Sequence, residues 1–191
     1  MKKIITILSF CLLSGCLGGY SPQSKFYNLQ PLSSSQTTPL STKKLSIGIS
    51  PTELPDYIDK PQIISFDKGN PQMNIDELNR WGEPLDSMIQ RTIASDIALY
   101  LPNSIVKPKS SLLEKFNLLV DVQIIRFDMI KNQQAILDSW WYISTPNGTI
   151  LKRQQSSFNA PIKKGYNNYI NVMSNLLGKM SKSIAEQLIK Y

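Results

Sequence analysis

The 191-residue sequence contains no histidine. That absence removes Ser-His-Asp and Cys-His catalysis, imidazole metal sites and the commonest general base together. No glycine-rich phosphate loop is present either. The carboxylates that remain, such as Asp56 with Asp59 and Asp76 with Glu77, fall in loop-like segments without partners at catalytic spacing and read as turn and cap residues. An enzyme is a poor reading of this composition, and neither a cofactor nor a metal is expected. Cysteine is confined to Cys11 and Cys16, so the body beyond them holds no thiol for a disulfide, a metal or a nucleophile. After Cys16 no apolar run reaches the roughly 20 residues that span a bilayer. Basic residues exceed acidic ones, 21 to 14, but they are scattered, as in Lys43-Lys44, Lys107 and Lys109, Lys152-Arg153 and Lys163-Lys164. Basic clusters interleaved with aromatics are missing, which argues against nucleic acid as a partner. A solvated basic surface near anionic lipid headgroups fits better.

What is present begins at the first residues. Lys2 and Lys3 precede an apolar run from Ile4 to Leu13, too short to cross a bilayer, and Leu13-Ser14-Gly15-Cys16 closes it. Basic start, short apolar core and small residues form a secretory signal, and the terminal cysteine makes the tetrapeptide resemble a bacterial lipobox. That resemblance implies cleavage before Cys16, acylation of its thiol and amino group, and anchoring by several acyl chains at about 0.8 kcal/mol per buried methylene. Leu17 rather than aspartate comes after the cysteine, which in lipoproteins favours the outer membrane, facing the periplasm. The expected organisation is a signal peptide over 1–15, an acylated terminus and tether over 16–25, and one domain over 26–191. Without Lys2 and Lys3 the mature chain keeps 19 of the basic side chains against all 14 acidic ones.

Along that domain, Phe26 to Leu29 reads as a first strand and the Ser/Thr/Pro-rich stretch from Pro31 to Thr42 as a loop. Leu45, Ile47 and Ile49 alternate as a second strand ended by Pro51 and Pro55, and Pro61 to Phe66 forms a third that starts with the proline, succeeded by a short extended piece over Met73 to Ile75. Pro84 starts a helix over 84–101, with Leu85, Met88, Ile89, Thr92, Ile93, Ile97 and Leu101 on one side. Ile105-Val106 suits a short edge strand. Phe116 to Met129 has apolar residues at both parities, Leu118, Val120, Val122 and Ile124 against Leu119, Ile125 and Phe127, which predicts a central strand covered on both faces. Ala135 to Thr145 and Thr149 to Phe158 form a hairpin about Pro146-Asn147-Gly148, and its Trp140 and Trp141 send one ring to each face, one to the core and one free for an interface. Tyr166 to Leu188 carries a single apolar stripe over 23 residues, a second amphipathic helix. The order predicts an α+β fold, a largely antiparallel sheet with two amphipathic helices packed on it.

Two stretches carry more than pattern. Leu54-Pro55-Asp56-Tyr57-Ile58-Asp59-Lys60-Pro61-Gln62-Ile63-Ile64 and Asn79-Arg80-Trp81-Gly82-Glu83-Pro84-Leu85 resemble the two signature segments of the PqiC/YmbA family of ABC-type transport auxiliary lipoproteins. Phe26-Tyr27-Asn28-Leu29 is similar to that family's opening segment, and the lipobox is shared. Gly82 stands where the family usually has alanine, and Lys60 where it has arginine. The resemblance singles out Tyr57, Asp59, Pro61, Gln62, Arg80, Trp81, Glu83, Pro84 and Leu85 as motif residues. Two roles fit them: stapling the helix start, with Arg80 meeting Glu83, or meeting a partner. The resemblance implies a non-catalytic component of an envelope lipid-transport system that docks an MCE-domain protein of a PqiB-like system and helps maintain envelope integrity, with a homo-oligomeric ring. An auxiliary subunit of a dedicated ABC transporter is close to that reading. A structural or stress-related envelope lipoprotein without a transport role is the alternative.

Overall fold

The computed structural model describes residues 22–110 and 115–191. Its spine is β6, Leu118–Ile130, which forms an antiparallel meander with β7, Gln134–Ser144, and β8, Ile150–Pro161. The other edge of β6 is shared end to end. Near its start it pairs in parallel with β2, Ser46–Ile49, which in turn pairs with β5, Ile105–Pro108. Near its end it pairs in parallel with β3, Gln62–Phe66, which continues antiparallel into β4, Met73–Trp81, and then into β1, Lys25–Tyr27. Between these two ends the backbone N–H groups of Ser50 and Glu53 donate to the carbonyls of Val120 and Val122, and a single bridge joins Glu53 to Gln123. The fold is α+β, and its long pairings make the sheet mostly antiparallel; the parallel pairings, β1 with β4, β2 with β5, and both β2 and β3 with β6, are the short ones.

The helices α1, Leu85–Tyr100, and α2, Tyr166–Leu188, pack on each other and on the sheet, α1 over β2 and β5 and α2 over β7 and β8. The stripe Tyr169, Ile170, Met173, Leu176, Leu177, Met180, Ile184 and Leu188 is buried throughout, so the periodicity that predicts α2 is the periodicity of its contact with the sheet. Helix α1 begins one residue later than expected: Pro84 is the N-cap, and its carbonyl accepts the first helical bond, from the Met88 N–H at 3.1 Å.

Three differences from the sequence reading have physical causes. First, β6 meets the core with one face, and its other face is covered only near its end, where Tyr57 reaches the buried Asp128. Its ladder with β7 skips Ile125, and this bulge reverses the parity of the residues beyond it. Leu118, Val120, Val122 and Ile124 point inward before it, and Phe127 and Met129 point inward after it, while Ile125 is 38% exposed. A uniform period of two places Phe127 on the opposite face from Ile124, and the bulge is the reason it is not there. Second, β4 runs nine residues, far past Ile75. Its polar sequence has weak strand propensity, but it is ordered by β3 on one side and β1 on the other. Third, β1 ends at Tyr27, and Leu29 leaves the sheet to enter the core.

That departure makes residues 29–32 a strap across the helical layer. The Gln30 N–H donates to Ser174 Oγ at 3.0 Å and the Leu32 N–H to Asp96 Oδ1 at 2.7 Å. Leu32 lies against Gly178, where a Cβ would come within 2.8 Å of its side chain; only glycine leaves room there. Asp96 sits at zero exposure between the two helices and also accepts from Ser181 Oγ at 3.3 Å.

Burial raises the Asp96 carboxyl to about 6, with the Leu32 N–H and the Ser181 hydroxyl opposing the rise. The folded value exceeds the unfolded one, so the folded chain holds the extra proton between them. Stability from this group is full below pH 4 and is lost as pH rises through 6, by up to about 3 kcal/mol. Asp96→Asn keeps both hydrogen-bonding positions without the charge. It should match the wild type at pH 4 and exceed it at pH 7 in urea denaturation; equal midpoints at pH 7 would show that the buried charge carries no penalty.

Candidate partner-docking site

The two motif segments, some twenty residues apart in the sequence, meet at the junction of β3, β4 and α1. Gln62 opposes Arg80 in the ladder, and the Trp81 N–H donates to the Pro61 carbonyl at 2.7 Å. The next pair in register is Ile63 with Asp76, so β4 carries three extra residues there. Asp76 holds this bulge: its Oδ1 accepts from the Leu78 and Asn79 N–H groups, both at 2.9 Å, and its Oδ2 from Tyr166 Oη at 2.5 Å and Asn79 Nδ2 at 3.0 Å. Burial alone would raise this carboxyl, but the donors outweigh it and hold it below the usual aspartate value. Asp76 is therefore a backbone-capping residue, the role its sequence position suggests.

Asp59, Lys60 and Pro61 form one wall of a cleft of ≈ 420 Å³, and Trp81 to Leu85 form the other. The motif residues divide by the direction of their side chains. Trp81 is buried, its ring centroid 6.0 Å from that of Phe127, and Leu85 is buried in the core. Tyr57 stands edge-on to Phe66 and donates through its hydroxyl to Asp128 Oδ2 at 2.8 Å. These three hold the fold. Asp59, Pro61, Glu83 and Pro84 are exposed on the cleft. Gln62 and Arg80 are half-buried, and both are tied to Glu77: Gln62 Nε2 and Arg80 Nη2 each lie 3.2 Å from its Oε2. Arg80 thus meets Glu77 rather than Glu83. Glu83 instead pairs with Arg91 at 2.6 Å, both side chains about half exposed, an arrangement worth at most about 1 kcal/mol.

Under Tyr57 lies a network that the sequence reading does not single out. Asp128 is fully buried and takes a forked pair of bonds from Arg126, Nη2 to Oδ1 at 2.7 Å and Nε to Oδ2 at 3.2 Å. Burial and the Asp128 carboxylate push the Tyr57 hydroxyl well above its usual value, and the hydrogen bond to Asp128 strengthens the basicity of Arg126. The available signal is Arg-x-Asp within a strand, two charges on the same face of an otherwise apolar segment. Asp96 is equally readable as the one acid within the apolar stripe of α1.

The tryptophan pair splits as its alternation requires. Trp141 is buried and donates from Nε1 to Ser156 Oγ at 2.9 Å. Trp140 lies on the opposite face, half-buried, with the Arg153 guanidinium 4.3 Å from its ring centroid and 5.7 Å from that of Tyr142.

The family model described as the ABC-type transport auxiliary lipoprotein component matches residues 27–185. The chain belongs to this family. It is the PqiC/YmbA-type lipoprotein family that the motifs resemble, and the match includes both walls of the cleft. Two solved structures share the auxiliary-lipoprotein fold. One is the crystal structure of an uncharacterized protein, 18% identical with a TM-score of 0.67, covering 87% of this chain and 99% of that one. The other is a Xanthomonas campestris protein of the family model DUF330, 9% identical with a TM-score of 0.65, covering 87% of this chain and 91% of that one. No curated protein matches the sequence. The lipobox, Cys16 and most of the tether lie outside the described residues. Among the described residues no helix is long and apolar enough to cross a membrane.

At Gly82 this chain departs from the alanine usual in the family. A Cβ there would lie 2.2 Å from the Asn28 Oδ1, so the side chain of Asn28 occupies the space that an alanine methyl would need. Gly82→Ala should cost about 1 kcal/mol as Asn28 is displaced, and the loss should disappear in the Asn28→Ala background; additive losses in a double-mutant cycle by urea denaturation would contradict this coupling. Tyr57→Phe removes one donor from a buried carboxylate and should destabilise by about 1–3 kcal/mol in the same assay. No change would mean that Tyr57 does not support the network.

Proposed function

We propose that this chain is an outer-membrane lipoprotein, anchored through acyl groups on Cys16 and facing the periplasm, that acts as a non-catalytic docking component of an MCE/ABC-type intermembrane lipid-transport system. Membership in an auxiliary lipoprotein family supports the transport role, and the leader sequence supports the anchor. The observation that carries the docking role is the convergence of both family motifs on one cleft whose outer residues, Asp59, Pro61, Glu83 and Pro84, are exposed. The partner is an MCE-domain protein of a PqiB-like system, and the contribution to the cell is maintenance of the envelope. A homo-oligomeric ring is part of the same reading: among the described residues β8 leaves one edge unpaired along twelve residues, and β5 and β1 end the sheet on its other side. Open edges of this kind serve head-to-tail assembly.

The docking role is tested with Asp59→Ala combined with Glu83→Ala. Both side chains are exposed, so the variant should unfold within about 1 kcal/mol of the wild type. Pull-down from crosslinked envelopes should recover an MCE-domain protein with the wild type and lose most of it with the variant. Undiminished recovery would remove the cleft from the interface. Absence of any transport component with the wild type would favour a structural envelope lipoprotein instead.

A further inference from the structure

We propose that the pocket between the β6–β7 turn and the start of α2 binds the phosphate headgroup of an anionic phospholipid. Three lysines from two separate loops line it, Lys131 from the turn and Lys163 and Lys164 from the segment before α2. Met129, Ile162 and Tyr166 supply apolar lining to the same ≈ 200 Å³ space. None of the three lysines is in an ion pair with another described residue. Three like charges brought around one apolar hollow repel one another, and an anion relieves that repulsion. The start of the 23-residue helix α2, whose Gly165 also lines the pocket, adds partial charge of the same sign.

The two loops are held in place without a ligand. The Ile162 N–H donates to the Gln133 carbonyl at 2.9 Å, joining one loop to the other, and the Lys163 N–H donates to Asn168 Oδ1 at 2.5 Å. Asn132, with φ at +56°, closes the turn. The pocket is therefore preformed, and a ligand need not spend binding energy on ordering it.

Chain connectivity selects the source of the anion. Tyr27, at the end of β1, has its ring centroid 5.8 Å from that of Tyr166. Only eight residues separate Cys16 from Lys25, where β1 begins, which limits the tether to about 30 Å even when fully extended. With Cys16 acylated, the pocket stays within a short reach of the bilayer holding the anchor. A lipid phosphate with its first methylenes matches both the basic residues and the apolar ones. This choice of ligand rests on the proposed anchor, whereas the basic pocket itself does not.

Native mass spectrometry of the full acylated protein, released from mild detergent with equal amounts of phosphatidylglycerol and phosphatidylcholine, tests the assignment. Phosphatidylglycerol adducts should dominate. Each lysine near an anionic lipid surface is worth a factor of about five, so the triple variant Lys131→Gln, Lys163→Gln and Lys164→Gln should bind on the order of a hundredfold more weakly with an unchanged thermal midpoint. Equal adducts on the triple variant, or phosphatidylcholine bound as well as phosphatidylglycerol, would overturn the proposal. Displacement by millimolar inorganic phosphate would overturn the lipid assignment in favour of a free-phosphate site. The same spectrum reads the acyl mass on Cys16, so a missing anchor is distinguished from a pocket that does not bind.

Discussion

The arrangement of this protein depends on one strand having three neighbours. β6 is thirteen residues long, and β7 occupies the whole of one edge while β2 and β3 divide the other. Two short parallel pairings are weak individually, and a segment with three prolines, Pro51, Pro55 and Pro61, runs between them. They are secured by the burial of Ile47 and Ile49, which share one face of β2, and of Ile63 and Ile64, one on each face of β3, at roughly 1.5–3 kcal/mol for each side chain removed from water. A slip of one residue in the β2 pairing would turn Ile47 and Ile49 to the opposite face. The register of β3 on β6 then fixes β4, and β4 fixes where Trp81 and Pro84 emerge. The motif cleft is a consequence of that chain of registers.

The strap over residues 29–32 couples β1 to the same body. Leu29 and Leu32 are packed at the helical layer, and their neighbouring backbone groups are claimed by Ser174 and Asp96. A buried carboxylate at this position is an unusual device, since it carries a desolvation penalty. In exchange it satisfies an N–H group that would otherwise be stranded between two helices. Tyr27 and Tyr166 continue the attachment on the other side, through Asn79 and Asp76. The start of the described chain is therefore held by α1, α2 and β4 together rather than by a three-residue strand alone.

Much of this is legible from residue order. Helix α2, the meander and the α+β class can be read from periodicity, because in each case one side of the element meets the core. The features that residue order hides are those set by long-range pairing. The bulge at Ile125 has no local marker, and it brings Phe127 onto the face of Ile124, where a uniform period of two would separate them. The length of β4 depends on neighbours about 15 and 50 residues away in the chain rather than on its own composition. Of the motif residues, sequence can name Tyr57, Trp81 and Glu83 but cannot divide them: only packing shows that Tyr57 and Trp81 face inward and that Glu83 faces out. The parallel pairings on β6 are likewise invisible, because nothing in a short apolar run states which edge it will occupy.

The central claim is that the cleft built by the two motifs is where this lipoprotein meets its transport partner. The most direct measurement is site-specific photo-crosslinking in intact cells, with a photoreactive amino acid at position 83 on the cleft and, in a separate strain, at position 155 on the helix-free face of the sheet. The account predicts an adduct to an MCE-domain protein from position 83 and none from position 155. An adduct to that protein from position 155 alone would contradict it.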